Sequence, residues 1–169
     1  MILRRDPPIN ISSVPSVREA LRRDVPALMA LWNEMMEFHS GIDPRFKISG
    51  NYHRELERHF VESMRSGVSR LFVMELEGKI VGYILGELHQ RKPIYPAGNY
   101  GFISDLCVSS EYRRRGFGRK LVEELMQWFE SRKVNSIELF LLEANPTSTA
   151  FWSTLGFGNY LRLVRKDLK

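Results

Sequence analysis

One cysteine, Cys107, occurs among the 169 residues, so no intrachain disulfide can form. That suits a reducing, cytoplasmic setting in which the core alone carries the fold. Cys107 lies between Leu106 and Val108 with no histidine near it in sequence, which reads as a small buried hydrophobe rather than a nucleophile. No apolar run approaches the ~18 residues needed to span a bilayer. Residues 1–8 carry early positive charge with no apolar stretch behind it, which is not the pattern of a signal peptide. No membrane association and no metal are expected. There is no internal repeat and no low-complexity tract. Acidic side chains are the scarcer sign, 20 against 25 lysines and arginines, for a net charge of +5. A basic balance favours an anionic partner: nucleic acid, a phosphorylated cofactor or an anionic surface.

What is present is the composition of a soluble globular chain, 43% hydrophobic and 27% charged. A chain of this length buries roughly two thirds of its unfolded surface, enough for one domain over 16–169 behind an irregular, proline-bearing arm at 1–15. Val17 to Leu21 reads as a short strand. Asp24 is placed to cap a helix, with Pro26 tolerated in its first turn. Val25, Leu28, Leu31, Trp32, Met35, Met36 and Phe38 then recur at helical spacing, and the helix should end near Gly41, before Asp43-Pro44. Residues 51–66 suggest a second helix. The apolar runs 71–76 and 80–86, separated by Glu77-Gly78, signal a hairpin. A loop follows at 91–99, then a strand from Tyr100 to Val108. A long helix begins near Gly116 with Leu121, Leu125 and Phe129 on one stripe, beside Val122, Met126 and Trp128. Ile137 to Leu142 reads as a buried strand, 146–155 as a short helix stopped by Gly156, and Phe157 to Leu168 as a last strand or pair of strands. The order β-α-α-β-β-β-α-β-α-β predicts an α/β (α+β) sandwich, largely antiparallel in its first half. The unit at 100–142 should be a right-handed crossover between parallel strands.

The stretch 103–121 carries the chemistry. It is a strand, a short polar turn and a glycine-bearing loop that opens a helix. Gly116 and Gly118 let the backbone approach a ligand closely. The first amides of a helix have no intrahelical partner, and with the helix dipole they form an anion site. Arg113, Arg114, Arg115 and Arg119 add positive charge. Other phosphate loops fit poorly. The Gly-x-x-x-x-Gly-Lys-Ser/Thr pattern is absent. A dinucleotide fingerprint needs a small residue where Leu121 stands and opens after a domain's first strand.

The pattern Arg-x-x-Gly-x-Gly at 113–118, preceded by Leu-x-Val at 106–108 and followed by a long amphipathic helix, resembles the GNAT superfamily of acetyl-CoA-dependent N-acetyltransferases. Residues 145–157, Asn145 through Ala150, Phe151, Trp152 and Leu155 to Gly156-Phe157, look like the family's second motif. One helix and one strand separate the two motifs, as in the family. The resemblance implies a mixed, mostly antiparallel sheet with a splayed parallel strand pair, at 103–108 and 137–142, flanked by about four helices. It implies acetyl-CoA, and coenzyme A binding through main-chain groups of Leu106, Cys107 and Val108 along the pantetheine arm. Residues from Arg114 through Arg115, Gly116, Phe117, Gly118 and Arg119 would wrap the pyrophosphate. Asn145 would lie beside the pantetheine, with Ser148 and Trp152 lining the channel. The acceptor would be a small-molecule or protein amine, and homodimers are common in the family.

The sequence departs from the family at the proton-handling positions. Trp152 stands where many members carry a tyrosine general acid. An indole N–H cannot deliver a proton at useful pH, but a CoA thiol, with pKa near ~8.5 by analogy with cysteine, leaves readily. Phe140 stands where some members carry a glutamate. Ser104-Asp105 stands where others carry Glu-Asp. An alkyl amine with pKa near ~10 arrives protonated, so a base is expected. Glu87, Asp105 and Glu143 are the candidate catalytic bases, with His89 beside Glu87; a base acting through an ordered water is a further route. His39, Asp43 and Arg45, in the loop after the first helix, are candidates for acceptor contact. Two other classes remain: an acyl-CoA-binding regulatory module without chemistry, and a nucleic-acid binder. The second predicts affinity that falls steeply with salt. It is disfavoured because no reading helix or aromatic platform stands out.

Overall fold

The computed structural model describes residues 14–48, 50–92, 94 and 98–168. The arm expected at 1–15 falls almost wholly outside that set. The chain divides into two compact units, one ending at Leu139 and one starting at Phe140.

The first unit holds a five-stranded sheet: β1 (Ser16–Glu19), β2 (Ser69–Leu76), β3 (Lys79–Gln90), β4 (Asn99–Val108) and β5 (Ile137–Leu139), in that spatial order. The first four are antiparallel neighbours, and β5 joins β4 in parallel. Its helices are α1 (Val25–Ile42), α2 (His53–Arg65) and α3 (Phe117–Ser131). The hairpin between β2 and β3 turns on Glu77 (φ 51°) and Gly78 (φ 75°). Two consecutive left-handed residues match the twist of the strands they join.

Alternation sends β3 and β4 side chains to opposite faces. Tyr83, Leu85 and Cys107 join Leu71 and Val73 in a core with Leu28 and Leu31 of α1 and Leu56 and Phe60 of α2. Phe60 meets Tyr83 edge-on at 5.6 Å. On the other face α3 lies close because the strands present glycine. A Cβ at Gly86 would fall 2.6 Å from a Leu125 methyl, and one at Gly101 would fall 2.7 Å from the Phe129 ring.

Three expectations change. Asp24 precedes α1 but does not cap it. Its carboxylate is buried, accepting from Arg18 at 2.7 and 3.0 Å and from the Leu21 amide at 2.7 Å. The guanidinium fork competes successfully for both oxygens. The fifth strand is shorter than 137–142, ending at Leu139. Residues 157–168 form no strand among the described residues. In the second unit, Tyr160, Leu161, Leu163 and Val164 are all exposed. An apolar run becomes a strand only with a ladder partner, and this one has none among the described residues. The ordered part of that unit is α4 (Pro146–Ser153), followed by Gly156 at φ 86°.

Candidate active site

A bulge in β4 builds the polar part of the site. The register with β3 passes from Leu85↔Asp105 to Gly86↔Ile103 and skips Ser104. Such an insertion bends the strand and re-aims side chains. Ser104 and Asp105 consequently both bond to β3 side chains on one face. The Ser104 hydroxyl donates to Glu87 Oε2 at 2.9 Å, and the Tyr83 hydroxyl donates to Asp105 Oδ2 at 3.3 Å. His89 Nε2 lies 3.4 Å from the same Glu87 oxygen, with the rings of Tyr100 and Phe102 at 5.3 and 5.4 Å. The sheet thus brings together Glu87, Asp105 and His89.

Burial pushes the Asp105 carboxyl above the ordinary carboxylate range, and Glu87 pushes the same way. The Tyr83 hydrogen bond and His59 of α2 oppose this without cancelling it. Tyr83 is fully buried and its phenol is shifted well upward by that burial and by Asp105, so it acts as a donor.

Farther along β4 the strand loses its neighbour on one side. Its pairing with β5 covers Gly101 to Ile103, leaving 105–108 paired only with β3 and the bulged Ser104 with neither strand. The connection to α3 then passes through Arg114 at φ 64° and Gly116 at φ 80°. Among the described residues, the amides of 114–119 donate to no backbone carbonyl and no side chain. Two left-handed residues flanking the turn aim such amides into a concave anion-binding nest. Arg114, Arg115 and Arg119 surround it on the exposed surface. Arg115 also donates to the Glu111 carbonyl at 3.3 Å and lies over Tyr112 at 5.3 Å. Arg113 is turned away from the nest: its Nε donates to the Val108 carbonyl at 2.9 Å, and its guanidinium lies 3.6 Å from Glu34.

A family model for the acetyltransferase (GNAT) family matches residues 28–157, most of the chain. The chain belongs to the acetyltransferase (GNAT) family. An L-2,4-diaminobutyric acid acetyltransferase of Nocardia farcinica is 26% identical over 96 residues, 57% of this chain and 47% of that protein. An N-alpha-acetyltransferase of Sulfurisphaera tokodaii is 28% identical over 105 residues, 58% of this chain and 62% of that one. The chain therefore matches only about half the length of these curated relatives. Among solved structures, a mutant of the BH1408 protein of Bacillus halodurans superposes with a TM-score of 0.83 at 24% identity, covering 91% of this chain and 99% of that one. Glucosamine-6-phosphate N-acetyltransferase of Arabidopsis thaliana gives 0.70 at 21% identity, with 92% and 99% covered. At these identities the structural likeness shows the fold: a GNAT-like mixed sheet with four helices.

The remaining GNAT positions fall as follows. Leu106 and Val108 are half-buried on the open stretch of β4. The Cys107 side chain faces α1, its Sγ donating to the Leu31 carbonyl at 3.2 Å, and burial pushes its thiol up to about 12. That thiol is inert near neutral pH. His39 is half-buried at the end of α1 between Phe38 and Phe46, and burial lowers its pKa. Asp43 accepts from the backbone and guanidinium of Arg45, which fastens the turn after α1. In the second unit, Asn145 is buried and caps α4, accepting from the Ser148 amide at 3.1 Å. Trp152 is buried, 5.0 Å from Phe157. Glu143 is 85% exposed and ion-paired with Arg162. Tyr83 and Ser104, which hold the two carboxylates, were missed from sequence. Tyr83 has a weak signal, standing four strand positions before Glu87 and so on its face.

Proposed function

We propose that this GNAT chain transfers the acetyl group of acetyl-CoA to a primary amine, with Asp105 as proton acceptor and Glu87 holding the incoming ammonium. The observation that carries the reading is the meeting, along one strand, of the open edge at 104–108 with the partnerless amides of 114–119. These residues fit a long ligand with a polar amide arm and a pyrophosphate. The arm would run along β4, and the diphosphate would rest on the nest and helix N-terminus. When bound, acetyl-CoA supplies an activated acyl thioester.

The protein's own part is to deliver a neutral amine. Two carboxylates attract the cation. Asp105 is the better base because burial moves it toward the working pH, where a general base is most effective. Glu87 is held by Ser104 and lies close enough for its charge to act on Asp105. No helix among the described residues is long and apolar enough to cross a membrane, and the acceptor is taken to arrive from solution. The relatives' names support acetyl transfer as the reaction.

Calorimetric titration with acetyl-CoA, of the wild type and of Gly118→Trp, tests the cofactor site. Bulk at Gly118 should abolish binding, while the wild type binds. Thiol release is then followed across a panel of amines. No binding by either protein sinks the reading. Tight binding with no thiol released for any acceptor would favour a non-catalytic acyl-CoA module, to which Trp152 at the usual tyrosine position also points.

A further inference from the structure

Glu34 of α1 is absent from both motifs, yet it holds the connection between β4 and α3. Its Oε1 accepts from the Ser110 amide at 2.6 Å and lies 3.6 Å from Arg113 Nη2. One helical turn on, Phe38 places its ring 5.5 Å beneath the Arg113 guanidinium. Arg113 is tied in turn to the carbonyl of Val108, the last residue of β4. The first half of the connection is therefore clamped to α1 and β4, and its second half carries the partnerless amides.

The clamp spans a gap. Ala27, Ala30 and Leu31 of α1 face Ser109, Glu111 and Tyr112 across a hollow of about 290 Å³. Ala27 and Ala30 are too short to reach across the hollow to the loop. A charged acceptor on a backbone N–H and an ion pair remain, and charge-assisted bonds are the short, strong ones.

We infer that Glu34 is a positioning residue for the pyrophosphate loop, acting through Ser110 and Arg113 to hold residues 114–119 ready for the diphosphate. This rests on the acetyl-CoA reading above. Glu34 does not touch the ligand. It removes in advance the ordering cost that a loose loop would incur on binding. Arg113 belongs to the clamp rather than to the set of phosphate ligands.

The test compares acetyl-CoA with S-acetylpantetheine, a donor lacking the pyrophosphate, in wild type, Glu34→Gln and Glu34→Ala. Glu34→Ala should weaken acetyl-CoA roughly tenfold to a hundredfold, the worth of a bond to a charged group. S-acetylpantetheine should be used as well as by wild type, and kcat at saturating acetyl-CoA should be unchanged while its KM rises. Glu34→Gln keeps an acceptor for Ser110 but no charge for Arg113, so it should fall between. Being isosteric, it also serves if the alanine variant melts early. Arg113→Gln, which also loses the Val108 tether, should weaken acetyl-CoA at least as much as Glu34→Gln, and adding Glu34→Gln to it should cost little more. An equal loss for both donors, or unchanged acetyl-CoA affinity in folded variants, overturns the inference. If wild type uses S-acetylpantetheine but gains nothing from the pyrophosphate, the loop has no such role and the inference falls while acetyl transfer stands. If wild type binds neither donor, both readings fall.

Discussion

The two faces of β3 and β4 are made from alternate residues of the same strands, yet they do opposite work. On the α3 face the strands offer Gly86 and Gly101, and Leu125 and Phe129 fill the space a Cβ would occupy. On the α1–α2 face the same strands offer Tyr83, Glu87 and Asp105, and the bulge at Ser104 crowds two polar residues onto it. One face excludes everything but close contact. The other supports charge, because the buried apolar part of that face ends where Glu87 and Asp105 begin. A rigid, tightly packed face behind the strands lets the opposite face hold carboxylates at defined separations.

The largest break in that comparison should come from Asp105→Asn. Loss of a general base costs roughly a hundredfold to ten-thousandfold, so kcat/KM for the amine should fall by that much while acetyl-CoA still binds, as steady-state thiol release and calorimetry would show. Stability should move the other way. The folded-state pKa of Asp105 is raised, so its contribution is fully present below the ordinary value near ~3.9 and is lost as pH rises through the raised value. Asp105→Asn removes that loss. Its melting temperature should equal or exceed wild type at pH 7, with the advantage shrinking toward pH 4. A variant less stable at pH 7 than at pH 4, relative to wild type, contradicts the assignment.

On the packed face, Gly101→Ala would place a methyl 2.7–2.9 Å from several Phe129 ring atoms. Overpacking of this kind costs about 1–3 kcal/mol. Urea denaturation should show that loss, with thiol release per folded molecule little changed. A large activity loss at unchanged stability would mean the two faces are not separate. The smallest effect belongs to Tyr83→Phe. It removes the donor to Asp105 and leaves the ring, so kcat/KM should drop only a few-fold, within the ~1 kcal/mol typical of one hydrogen bond. The acid limb of the pH profile should move upward, because that bond favours the ionised carboxylate.

Much of this was legible in the sequence. Glu77-Gly78 specified a hairpin, and the spacing of Leu121, Leu125 and Phe129 specified the buried stripe of α3. The loop at 113–118 suggested an anion site, because its glycines allow close backbone approach and the first amides of the helix have no intrahelical partner. Glu87 and Asp105 were named as separate candidates, 18 positions apart in the chain. Their convergence depends on a register shift between β3 and β4, which no local pattern encodes. The expected strand at 157–168 shows the same limit, since its apolar residues describe an affinity for a ladder without supplying one. Arg113 illustrates it too: from sequence it joined the phosphate ligands, and Glu34, 79 residues away, turned it into a tether.

By itself the sequence determined most of the element types, the packed stripe of α3 and the glycine- and arginine-bearing loop that opens it. Those follow from periodicity, backbone freedom and local charge, all short-range properties. Only the tertiary structure decided that Ser104 and Asp105 share a face, that Tyr83 holds the carboxylate, and that α1 grips the loop through Glu34. These depend on strand register and on the distance between elements remote in the chain, which the burial of the whole core settles at once.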